Sequence, residues 1–184
     1  MSQNPDNFSS VGLKYVGRAW TVVLAFLNVA LASGLLISLV ALWPGSLSVT
    51  SSAPLSHVLL GIKLSMSPDT NVMIMAAIAG ALGGVLHSLR SMAGYIGARQ
   101  FKWSWSFYYL SLPFVAAILA LIFYFVIRGG LMSPQGVTGD INPYGIAAIS
   151  GLVGLFTGQA AGMLQKIFET LFAPSPAGAD PLQK

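Results

Sequence analysis

Residues 19–42 read AWTVVLAFLNVALASGLLISLVAL, twenty-four positions without a charge. As a helix this run is about 36 Å long, enough to cross a hydrocarbon core of about 30 Å with some tilt. The apolar run of a cleaved signal is about 7–15 residues, so this one reads as a retained first span. Lys14 and Arg18 precede it and Trp43-Pro44-Gly45 closes it.

The rest of the chain carries the same signal. Of 184 residues, 55% are hydrophobic and 8% charged, with a mean hydropathy of +0.74. A soluble domain of this size carries about 25% charged residues, so a water-facing surface cannot be covered. Three more runs are apolar enough to cross lipid, over 71–91, 106–127 and 144–165. The fold class implied is all-α: a polytopic membrane protein, a four-transmembrane-helix bundle spanning 14–172. Residues 1–13 and 173–184 read as disordered tails, 44–67 as an external loop and 92–105 as a cytoplasmic link.

Local signals mark the helix ends. Ser67-Pro68-Asp69 offers a capping hydroxyl, a proline suited to a first turn and an acid at the positive end of the helix dipole. Asn142-Pro143 repeats the cap-then-proline pattern. Trp103, Trp105, Phe107, Tyr108 and Tyr109 cluster where the third span enters the bilayer, as headgroup-level rings do. Pro113 is expected to kink that span. Past Lys166, the residues Ile167, Phe168, Leu171 and Phe172 recur at helical spacing and suggest a last turn or two at the interface.

Charge orients the bundle. Lys14, Arg18, Arg90, Arg99, Lys102, Lys166 and Lys184 fall on one side of four spans, and Lys63 and Arg128 on the other. The positive-inside rule places the first group, and with it both the N and C termini, in the cytoplasm of a bacterial-type inner membrane. Nine basic residues spread in this way form no nucleic-acid patch.

Two faces of small residues stand out. The fourth span carries Ala147, Gly151, Gly154, Gly158 and Gly162, and the second carries Ala76, Gly80, Gly84 and Ser88. In lipid, small residues let a neighbouring backbone approach closely. The two ridges predict direct pairing of the second and fourth helices, or a contact between subunits.

Polar groups at membrane depth are few: Asn28, His87, Arg90 and Gln159. Counted from the span ends, Asn28, His87 and Gln159 fall in one layer about 5 Å thick, which permits a hydrogen-bonded cluster of the first, second and fourth helices. Arg90 sits near the inner edge, where its stem can snorkel.

The chemistry of most enzymes is missing from the sequence. There is no cysteine, which removes disulfides, thiolate metal sites and thiol nucleophiles. His57 and His87 flank one span from opposite ends, and no phosphate loop, nucleophile elbow or HExxH motif appears. No cofactor and no metal site is implied. The expected function is a non-enzymatic membrane module, self-associating or accessory to another membrane protein, with the lipid bilayer as its constant partner. A homo-oligomeric channel or small-solute pore is the alternative, and a lipid-active or cofactor-binding enzyme a more distant one.

Overall fold

A computed structural model describes residues 18–44, 55–59, 61–97, 105–130 and 142–172. Both expected tails, and parts of the expected external loop and cytoplasmic link, lie outside the described residues. Among the described residues are five helices and one small hairpin: α1 (Arg18–Ala41), β1 (Leu55–Leu59), β2 (Ile62–Met66), α2 (Pro68–Gly97), α3 (Trp105–Arg128), α4 (Pro143–Leu155) and α5 (Thr157–Leu171). Three helices, α1 to α3, are long and apolar enough to cross a membrane, or four spans if α4 and α5 together count as one. The chain is a helical membrane protein by these lengths and compositions.

Helix starts follow the local chemistry. Thr70 N–H donates to Ser67 Oγ at 3.2 Å, and Tyr144 N–H donates to Asn142 Oδ1 at 3.0 Å. The hairpin pairs antiparallel from Leu55↔Met66 to Leu59↔Ile62. Gly61 supplies its left-handed turn position at φ 81°, which a residue with a Cβ adopts at a cost.

Central to the bundle is α2, with 56% of its best membrane window buried against 11% for α1. On one side it meets α3 antiparallel, through Gly80 and Gly84 against Ala116 and Ala120. On the other it meets α4, where Val72 and Ala76 pack with Ile146 and Gly80 lies against Gly154. That register makes α4 run in the same sense as α2. The closest approach needs glycine: a Cβ on Gly83 would lie 2.6 Å from Leu155 N and against Gly151 O, and one on Gly154 would lie 2.8 Å from the carbonyl carbon of Gly80. The pairing of the second and fourth helices is therefore backbone to backbone.

The fourth span differs from expectation. One continuous helix over 144–165 is implied by the sequence, but α4 stops at Leu155 and α5 leaves it at an angle of 106°. At 13 residues α4 is about 20 Å long, too short to cross alone. Phe156 sits at the corner with φ −116° and ψ 44°, and helical bonding resumes with Ala160 N–H donating to Phe156 O. Below the corner α2 runs on ten residues to Gly97, about 15 Å further. By contrast α3 stays one helix through Pro113.

Candidate functional site

In lipid an unpaired backbone carbonyl costs several kcal/mol, because no water replaces the missing donor. Helix ends and prolines create such carbonyls. Four backbone carbonyls at such places meet a polar side chain from another element, two of these side chains, Asn71 and Ser88, being fully buried.

Pro113 has no N–H to offer the carbonyl four residues back, that of Tyr109. Ser88 Oγ lies 3.4 Å from Tyr109 O and 3.2 Å from Asn28 Oδ1, so its proton is shared between α3 and α1. Asn28 returns its amide to Leu24 O at 3.0 Å, and Ser91 Oγ and the Tyr109 hydroxyl lie 3.0 Å apart. Ser88, Asn28 and Tyr109 are all buried, at 0%, 4% and 1% exposure. Tyr109 thus belongs to the bundle interior rather than to the interfacial ring cluster, where Phe107 and Tyr108 remain exposed.

At the end of α4, His87 Nδ1 lies 3.1 Å from Leu155 O. Only a protonated Nδ1 donates to a carbonyl, so this contact selects that tautomer or the charged ring. At the end of α1, His57 Nδ1 lies 3.2 Å from Ala41 O and Asn71 Nδ2 donates to Leu42 O at 3.1 Å. The two histidines, one on β1 and one on α2, therefore do the same job: each meets a carbonyl at the C-terminus of a helix. His57 Nε2 and Asn71 Oδ1 are buried with no hydrogen-bond partner.

The expected layer of Asn28, His87 and Gln159 is divided by the structure. Asn28 joins Ser88 between α1, α2 and α3, while His87 turns to α4. Successive residues on a helix point about 100° apart, so neighbours 87 and 88 serve different sides. His87, Arg90, Ser91 and Gln159 instead line a separate pocket of about 400 Å³ under the α4–α5 corner, closed above by Leu155 and Phe156. Arg90 is exposed there and makes no hydrogen bond or ion pair among the described residues. Of the two described acids, Asp69 pairs with Arg128 at 3.0 Å and Glu169 accepts from Gln165 at 2.7 Å.

The small-residue faces also divide. Ala76, Gly80, Gly84 and Ser88 face inward on α2, and Gly151 and Gly154 meet it from α4. Gly158 and Gly162 lie beyond the corner on α5 with open space where a side chain would stand, and Ala147 lines a groove between α1, α2 and α4. Two small faces escape the sequence reading. Ala116 and Ala120 receive α2 on α3. Ala30, Gly34 and Ser38 recur every four residues on α1, and nothing stands within 4 Å of where a Gly34 side chain would be.

Among the described residues no group of three or more His, Cys, Asp or Glu side chains converges to hold a metal. Comparison with family models, curated proteins and solved structures gives no match.

Proposed function

We propose that this protein is a non-catalytic, self-associating module of a membrane, with the N-terminus of α1 in the cytoplasm of a bacterial-type inner membrane. The observation that carries the reading is the outward face of α1. Ala30 and Gly34 are exposed and Ser38 half-buried, and among the described residues nothing stands within 4 Å of where a Gly34 side chain would be, while the stripes of α2, α3 and α4 are consumed by one another. Ser38 Oγ donates to Gly34 O at 2.8 Å, so the stripe offers a hydroxyl already satisfied and a backbone open to close approach. Both histidines are occupied by helix-end carbonyls, which supports a structural role for them over a catalytic one.

Gly34→Leu tests the reading. It meets nothing inside the subunit, so thermal stability in detergent should be retained while the oligomer seen by native mass spectrometry falls to monomer. A wild-type protein that is monomeric at every protein-to-detergent ratio, or an oligomer untouched by the substitution, refutes self-association through α1. A homo-oligomeric pore is the rival: it requires unitary currents in planar bilayers that disappear with the same substitution.

A further inference from the structure

An apolar groove of about 660 Å³ runs between α1 and α4 over the exposed side of α2. Ala32 and Leu39 wall it on one side, Ala147 and Leu152 on the other, with Leu82 and Leu86 as its floor. On α2 its lining extends from Ala79 to Leu89, about 15 Å, which is about the depth of one leaflet. At its lower end stands the polar pocket of Arg90 and Gln159, and Leu155 lines both spaces. The geometry points to one occupant for the pair: an anionic phospholipid, with an acyl chain laid along the groove and its phosphate on Arg90 and Gln159.

Charge selects that occupant over a second helix. A groove taking only a helix has no use for an unpaired cation at its mouth, whereas Arg90 has no acid to neutralise it among the described residues. A guanidinium and a side-chain amide are both donors, as a phosphate needs. Depth agrees as well. Arg90 stands one residue before the expected inner end of the second span at 91, where a long cationic stem reaches the headgroup level. The corner at Phe156 is what joins the two spaces, since a straight fourth helix would run on past His87 and fill the pocket.

Native mass spectrometry of the full chain in mild detergent tests this with three probes: palmitoyl-oleoyl phosphatidylglycerol, the phosphatidylcholine with the same chains, and inorganic phosphate. The phosphatidylglycerol should be retained in preference to the phosphatidylcholine, and phosphate alone should not bind. Arg90→Gln, at an exposed position, should lower affinity for phosphatidylglycerol about tenfold and erase the preference, the loss of one charge-assisted contact. Ala148→Trp, on the α4 lip of the groove, should weaken retention of both lipids with lipid-free helicity unchanged. Should that variant misfold, Ala32→Phe fills the groove from the peripheral helix instead. Equal retention of the two lipids, or an Arg90→Gln protein with wild-type preference, overturns the proposal. So does phosphate binding on its own, or a groove-filling variant that loses oligomers while keeping lipid, which would assign the groove to a second copy.

Discussion

Ser88 shows how a single hydroxyl settles a helical junction in lipid. It has no exposure and touches the Tyr109 carbonyl, four residues before Pro113, on one side and Asn28 on the other. Removing it takes a donor from two contacts at once. Ser88→Ala should therefore destabilise the bundle by about 1–2 kcal/mol, toward the upper end of interhelical hydrogen bonds measured in membrane proteins. A denaturant series in detergent micelles measures this, and the double substitution with Asn28→Ala should cost less than the two single costs added, because one contact is shared. Strict additivity would mean that the two side chains do not interact. The sequence shows Ser88 and Asn28 only as a small residue and a polar one. Counting along helix axes gives their depth but not their azimuth, and azimuth is what sends Asn28 to Ser88 and His87 to α4.

Among the elements, the starts of α2 and α4 were readable and the break in the fourth span was not. Ser67-Pro68 and Asn142-Pro143 announce their helices because a capping oxygen and a proline act within one turn, on the backbone beside them. The corner at Phe156 has no such signature: apolar spacing continues from Tyr144 to Gln165 and no proline interrupts it. Gly154 and Gly158 flank the corner, and glycine lowers the cost of leaving the helix as readily as it admits a neighbour. The same residues thus read as a packing ridge when they also permit a bend. The partnership of Ala116 and Ala120 with α2 is hidden for a related reason, since alanine is the ordinary filler of any helix. Position relative to the corner separates glycines that look alike. Gly154→Ala places a methyl against the Gly80 carbonyl and must push α4 off α2, so melting should fall by several degrees or folded protein should be lost. Gly158→Ala meets nothing and should be neutral or stabilising by about 0.5–1 kcal/mol, the helix preference of alanine over glycine. Equal losses from both, measured by thermal unfolding in one detergent, would mean that the ridge continues straight through the corner.

For the whole molecule the open question is on which side of the bilayer α5 emerges, and the bend makes this a question of geometry as much as of charge. In α4 the chain follows α2 for about 20 Å, then turns through 106°. A broken crossing brings α5 out at the end where α1 begins; a re-entrant pair returns it to the end that holds the hairpin. Packing argues for the second, since Ala160 and Leu164 of α5 join Ala120, Phe123 and Val153, on the hairpin side of the corner. Charge argues for the first, since Lys166 joins Arg90 at the basic end, and the polar side chains Gln165, Lys166 and Glu169 are exposed together. With no cysteine in the chain, single replacements at Ser65 on the hairpin, Gly94 low on α2 and Gln165 on α5 report the three levels directly. All three positions are exposed. In intact cells a membrane-impermeant maleimide should modify Ser65→Cys alone, and permeabilised cells should add Gly94→Cys and Gln165→Cys together. If Gln165→Cys instead labels from outside with Ser65→Cys while Gly94→Cys stays hidden, α4 and α5 form a re-entrant pair and the carboxyl end lies opposite to the amino end. The pocket under the corner would then sit within the bilayer rather than at its inner rim, and the depth at which a headgroup is placed on Arg90 would be wrong as well.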